Sequence, residues 1–341
     1  MSEISILKMS PFGKRFTIGL IVSVSLLLLY VIVTLMDLWP AGNYEEGEFA
    51  WCESFVPGLF LEPVNTLTNL AFVVVGLLIL HRTDQQENSD QNGFTRGGVI
   101  PVIYAGAVIS IGLGSFAMHG TRTVLGAFFD WSGMLVFILF PVLYRLRSFL
   151  DWTDEIFVRN HIILSLLVLG IEFFRNSDDI VGVGEGLRRF GFFRDFVWAE
   201  CIGLWIIFEM RIYLERTSFG SIERVFILSV APITLALLTY STSWPWQLVA
   251  LCATFVIFSI LVNEVTPPSI YRPTQKWFVM GTSSFIFGMF IWPYGRDDSA
   301  FCVPESIFQI HGLWHLLCAF ATWCFYLHFI SESSSNIEES E

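Results

Sequence analysis

Three histidines in apolar surroundings carry the chemistry this sequence offers. His119 closes the stretch Gly112-Leu113-Gly114-Ser115-Phe116-Ala117-Met118-His119, and His311 and His315 open another one. Ser115 precedes His119 by four positions, and Asp130 follows it by eleven in Phe128-Phe129-Asp130-Trp131. A spacing of four puts two helical side chains on one face, so Ser115 pairs with His119 and His311 with His315. Three neutral imidazoles with a fourth position open form the donor set of catalytic zinc, and a carboxylate nearby is the base a metal-activated water needs. All five groups lie in sequence that otherwise reads as lipid-embedded. Ionisable groups at such depth are costly, and by default they mark a functional site.

Other polar residues in the apolar stretches read more plainly. A lone membrane histidine more commonly packs or hydrogen-bonds between helices than binds metal. His81 and His161 fall at cytoplasmic ends and His328 near the end of the last stretch, and all three read as interfacial. Glu172, Glu200, Glu209 and Glu264 read as interfacial or paired with nearby arginines. Gly112 and Gly114 read as points of close helix approach, since no phosphate loop surrounds them. Trp and Phe stripes read as lipid-facing or core.

The elements that must position these groups are membrane helices. Apolar residues make up 54% of the 341, charged residues only 15%, with 34 Phe and 12 Trp. A soluble domain carries nearer to about 25% charged residues. The mean hydropathy of +0.62 agrees. The net charge of −12 says little about partners, because much of it sits in the acidic loop between Asp37 and Glu62 and in the Ser/Glu tail. No basic patch points to nucleic acid, and no feature points to a protein partner.

The expected fold is all-α, with ten spans at approximately 16–38, 63–81, 99–119, 124–146, 156–174, 196–213, 222–240, 245–263, 275–293 and 306–330. Each has about the 17–25 residues that a bilayer core demands. The sixth is the weakest, because Glu200 and Glu209 interrupt it. The first follows Lys14 and Arg15, is too long for a leader peptide and lacks a small-residue cleavage site, so it reads as a retained helix. The chain divides into a cytoplasmic segment 1–15, one membrane domain 16–330 and a polar, disordered tail 331–341.

With the N-terminus in the cytoplasm, every Lys and Arg except Arg122, Arg175, Arg188, Arg189, Arg194 and Arg296 falls on the cytoplasmic side. The same topology puts both termini there. It also puts His119, Asp130, His311 and His315 together in the non-cytoplasmic half of the bilayer, an agreement the charge count did not require.

Three blocks resemble the alkaline ceramidase family, within the wider superfamily of membrane hydrolases that includes the progestin and adiponectin receptors. They are Trp51-Cys52-Glu53 followed by Glu62-Pro63-Val64-Asn65-Thr66-Leu67-Thr68-Asn69; Gly112 to Thr121 with Asp130 and Met134; and His311-Gly312-Leu313-Trp314-His315. The resemblance implies a seven-helix core to which this chain adds helices, one before the motifs and about two between the Asp130 helix and the last. It implies an intramembrane zinc amidase that splits the N-acyl bond of ceramide into a sphingoid base and a fatty acid. His119, His311 and His315 would be the zinc ligands. Asp130 would take a proton from the metal's water and return it to the leaving amine. Ser115 would hydrogen-bond the developing oxyanion or orient the water. A hydrolase of another lipid amide or ester, and a receptor or transporter with structural zinc, stay open beside this reading.

Two further expectations come with the resemblance. Cys201, Cys252, Cys318 and Cys324 lie in or near spans and read as packing residues. Cys52 and Cys302 fall in non-cytoplasmic loops, where an oxidising compartment permits a bridge. The family has one between comparable loops, and two free thiols are the alternative. The family also holds calcium beside the zinc, with an acidic residue before the Trp and an Asn two after the Glu. This chain keeps Trp51, Glu53 and Glu62 but has Ala50 and Phe55 at those two positions. Calcium takes six to eight oxygens. The site is therefore expected to be degenerate unless Glu45, Glu46 or Glu48 substitutes, with Glu53 and Glu62 ordering the loop and pairing with polar neighbours.

Overall fold

The computed structural model describes residues 13–39, 51–85, 92–181, 193–239, 245–272 and 275–334. Most of the segment 1–15, most of the tail, and Glu45, Glu46, Glu48, Ala50, Arg188 and Arg189 lie outside the described residues. The helices are α1 (Lys14–Leu35), α2 (Pro63–Thr68), α3 (Leu70–Gln85), α4 (Ile100–Thr121), α5 (Val124–Phe149), α6 (Asp154–Val181), α7 (Phe193–Leu214), α8 (Ser221–Thr239), α9 (Pro245–Glu264), α10 (Lys276–Ile291) and α11 (Ile310–Ile330). Among the described residues, eight helices are long and apolar enough to cross a membrane, counting α2 and α3 as one. These are the helices of a multi-pass membrane protein. In lipid the backbone must satisfy its own hydrogen bonds, which is why apolar runs of this length fold as helices.

Every expected span coincides with a helix, but two helices fall short of a full crossing by length and composition. In α7, Glu200 and Glu209 share the helix with Arg194, Asp195 and Arg211. The other is α10, with 16 residues, which tightens into a 3-10 turn at Trp292–Gly295. The last helix starts at Ile310 rather than near 306. Gln309 is extended, and its side-chain amide donates to the carbonyls of Val303, Pro304 and Ser306, folding the preceding loop onto the helix start. His311 therefore sits in the first turn of α11.

The chain forms two compact units. The first joins Met1–Met134 to Arg272–Ser333. In it α3 packs on α4, α10 on α11, α11 on both α2 and α3, and α1 on both α3 and α4. Glycine permits close approach at several places, Gly112 and Gly114 among them. A methyl group at Gly112 would stand 2.8 Å from the Asn69 carbonyl oxygen, and one at Gly114 would stand 2.3 Å from that of Phe129. At the end of this unit away from His119, Phe94 stacks on Phe329, Tyr104 donates to the Thr322 carbonyl at 2.7 Å, and Arg272 pairs with Glu332 at 2.6 Å.

The second unit runs from Leu135 to Tyr271 with the tail. Its helices α7, α8 and α9 pack on one another. Gly203 of α7 lies so close to Phe255 of α9 that an added methyl would overlap the ring. Arg145, fully buried, donates to Glu209 at 2.6 Å, and the Trp205 indole donates to the same carboxylate oxygen at 3.0 Å.

His161 and His328 pack against aromatic rings. Both are buried, His161 beside the Phe140 and Phe157 rings and His328 beside Phe278. An imidazole presents an apolar body, so aromatic packing holds it inside the helix bundle as readily as at the lipid surface.

Candidate metal centre

The site is assembled at one end of the first unit. His119 is in the last turn of α4, and His311 and His315 are in the first two turns of α11. All three imidazoles are buried, and their ring centroids are 4.5 to 5.0 Å apart. Among the described residues they are the one group of His, Cys, Asp and Glu side chains able to share a metal ion, each offering an atom within 4.8 Å of the others.

The hydrogen bonds decide which nitrogens face inward. His119 Nδ1 meets Glu62 Oε2 at 2.5 Å, and His315 Nδ1 meets Thr68 Oγ1 at 2.9 Å. In both rings this leaves the Nε2 lone pair to bind a metal. His311 Nε2 stands 3.2 Å from His119 Nε2. A tetrahedral ion with nitrogens at about 2.0–2.1 Å holds them roughly 3.3 Å apart. Imidazoles gathered in this way, two of them with Nδ1 engaged by a carboxylate or a hydroxyl, are the arrangement of metal-binding histidines, while His311 Nδ1 is buried without a hydrogen-bond partner among the described residues. The three histidines could hold a metal ion, and imidazole donors suit zinc among others.

Around the rings is a fixed shell. Trp51 stacks on His311, with centroids 3.5 Å apart. It pairs its backbone with Arg296 in an isolated antiparallel bridge. The next residue, Cys52, is disulfide-bonded to Cys302 and donates its amide to the Gly295 carbonyl. The backbone amides of Leu61 and Glu62 donate to the carbonyls of Gly120 and His119, pinning this loop to the end of α4. Tyr30 of α1 reaches the same place: its hydroxyl donates to the Leu59 carbonyl at 2.9 Å, and a methyl at Gly120 would collide with it.

Ser115 is buried one turn before His119. Asp130 is half-buried on α5, where its backbone nitrogen would lie 3.0 Å from a methyl at Gly114. The structure thus brings the three histidines together, keeps Ser115 on the helix of His119 and holds Asp130 on α5, outside the group able to share a metal.

Glu53 and Glu62 each engage partners of their own. Both oxygens of Glu53 accept from the backbone amides of Val64 and Asn65, at 2.6 and 2.8 Å, at the start of α2. Burial raises the Glu53 carboxyl above its ordinary pKa, against the pull of those two amides. Glu62 is committed to His119, with Asn65 Nδ2 at 3.3 Å from the same oxygen and Arg122 Nε at 3.5 Å from the other. Burial pushes the Glu62 carboxyl up to about 7, with Arg122 and Asn65 pulling the other way. Arg122 also lies over the Phe55 ring, 5.7 Å from its centroid.

The roles of Thr68 and Arg122 were not visible from residue types. Thr68 offered a weak signal, as part of the run Asn65-Thr66-Leu67-Thr68-Asn69 opening an apolar stretch. Arg122 offered another, as a basic residue on the side where basic residues are scarce. Compared with known protein families and with curated proteins, the chain finds no match in either.

Proposed function

We propose that the protein is an intramembrane zinc amidase that hydrolyses the N-acyl bond of ceramide or a related N-acyl lipid. The observation that carries this reading is the convergence of three buried imidazoles, two of them with Nδ1 held by Glu62 and Thr68. Zinc held there would polarise the amide carbonyl and bring the pKa of water toward 7.

The chain's own residues do the rest. His119, His311 and His315 hold the ion, and Glu62 and Thr68 fix the tautomers of two of them. Asp130 takes the proton of the attacking water and hands it to the leaving nitrogen. Ser115 donates to the oxygen on which charge develops. Trp51 and the disulfide-pinned loop shield the histidines from bulk water, which strengthens each of these interactions. An acyl lipid reaches such a site sideways from the bilayer.

In this reading the fold is a seven-helix core with additions, ten spans in all, both termini in the cytoplasm and the site in the non-cytoplasmic half. It is supported by the placement of His119, the first turn of α11 and the Cys52–Cys302 loop at one end of the first unit.

The test is hydrolysis of a lipid panel by purified, zinc-loaded protein, with His119→Ala alongside. Release of fatty acid from N-acyl sphingoid lipids, lost in His119→Ala, is the expected result. Turnover of ester lipids alone would move the chemistry to another substrate, and no turnover with zinc bound would point to a structural or receptor role.

A further inference from the structure

We propose that Arg122 is a positioning residue for the metal: its guanidinium anchors the Glu62 carboxylate, which in turn aims His119 Nε2 into the site. The proposal rests on the metal site of the function proposed above, but not on its substrate.

Glu62 is fully buried. One of its oxygens, Oε2, is engaged by His119 Nδ1 and Asn65 Nδ2. Among the described residues the other, Oε1, accepts no hydrogen bond and faces Arg122, whose Nε lies 3.5 Å away. A buried carboxylate without a cation beside it is strongly disfavoured. Without Arg122, Glu62 would turn from His119, and His119 would lose the acceptor that fixes its tautomer.

Arg122 is built into its place. It is 4% exposed, it is packed between the Phe55 ring and Met118 Sδ at 3.8 Å, and it ends α4 three residues after His119. Its backbone is left-handed, with φ 51° and ψ 36°, and its amide donates to the Met118 carbonyl at 2.7 Å. Glycine or asparagine is the usual residue for that conformation. An arginine there trades backbone comfort for a side chain that turns back toward the loop. The ligand, the carboxylate and the cation form one chain of contacts, His119–Glu62–Arg122, and the same cation stands over Phe55, where the calcium-binding pattern would have had an amide oxygen.

The experiment measures zinc release to a chromophoric chelator, and the visible spectrum of cobalt-loaded protein, on full-length chain in detergent. It compares wild type with Arg122→Asn, Arg122→Lys, Glu62→Gln and the double Arg122→Asn/Glu62→Gln. Asparagine suits the left-handed backbone, so Arg122→Asn removes the guanidinium with least disturbance. Groups that hydrogen-bond a metal's ligands are worth about 10–100-fold in metal affinity. Arg122→Asn is expected to weaken zinc by that range and to shift the cobalt spectrum, and Arg122→Lys is expected to lose less. The double variant is expected to be no weaker than Glu62→Gln alone, because both act through one carboxylate.

Wild-type affinity and spectrum in Arg122→Asn, or losses that multiply in the double variant, would overturn the proposal. If Arg122→Asn does not fold, Arg122→Lys carries the comparison: a spectrum unchanged from wild type would count against the anchor. Wild-type protein that binds no metal would sink both this proposal and the amidase. Metal binding that depends on Arg122, without lipid turnover, would sink the amidase alone.

Discussion

The imidazole of His311 lies flat against the indole of Trp51, with their planes inclined by 17°. The residue next to Trp51 is half of a disulfide whose other half, Cys302, lies 250 positions along the chain, a few residues before α11. The bridge and the stacked ring act together. The disulfide fixes the loop, the loop fixes Trp51, and Trp51 covers one ligand of the candidate metal site.

From this we expect the Cys52→Ser/Cys302→Ser protein to fold and to bind metal, but to lose it faster to a chelator. Trp51→Ala should give the same acceleration with the bridge intact. The checks are chelator-exchange rates and peptide mapping without reduction. Recovery of both cysteines as free thiols in freshly isolated protein would contradict the bridge, and wild-type exchange rates in both variants would remove the shielding role.

Metal content follows from ligand count. We expect about one zinc per chain, lost in His311→Ala/His315→Ala because one imidazole cannot hold zinc tightly. Elemental analysis of the folded double variant is the check, and unchanged zinc would dismiss the site.

Much of the site was legible in the sequence, and the reason is spacing. Ser115 with His119 and His311 with His315 are local helical pairs, and local geometry is readable once an apolar run is taken as a helix. The apolar runs themselves were readable because a bilayer demands their length. What could not be read was the shell. Thr68 meets His315 across 247 positions, Glu62 meets His119 across 57, and Arg145 meets Glu209 across 64. Such pairings depend on how helices pack, which no period along the chain encodes. Helix ends were missed for a related reason. Gln309 moves the start of α11 by bonding to three loop carbonyls, a tertiary effect rather than a propensity.

Asp130 and Ser115 should separate chemistry from metal binding. Asp130 stands outside the group able to share the ion, so Asp130→Asn should keep its zinc and lose most turnover, since an amide cannot take a proton. Ser115→Ala should cost about 10²–10³ in rate if its hydroxyl meets the oxyanion. Zinc analysis alongside single-turnover kinetics on the same preparations makes the check, and full activity in Asp130→Asn would remove it from the mechanism.

In the second unit, the Arg145–Glu209 pair should matter for stability and not for metal. Breaking a buried pair by removing one partner costs about 3–5 kcal/mol, while replacing both by apolar groups is often near neutral. Glu209→Leu should therefore unfold at markedly lower denaturant, and Arg145→Met/Glu209→Leu should recover much of the loss. Both should bind zinc as wild type does. If the double variant is worse than the single one, the pair does not act as a unit.

Calcium provides the last contrast, because the carboxylates it would need are engaged elsewhere. Glu53 uses both oxygens on the amides of Val64 and Asn65, which leaves it as an anchor for the start of α2. Glu62 is divided between His119 and Arg122. Among the described residues, a guanidinium near Glu62 and an aromatic ring at position 55 leave a cation that needs six to eight oxygens with too few. Activity should therefore be unchanged by a calcium chelator that spares zinc. Glu53→Gln should instead lower thermal stability, because an amide accepts from two backbone donors less strongly than a carboxylate does. Saturable activation by micromolar calcium, abolished in Glu53→Gln, would show that these residues rearrange into a calcium site after all.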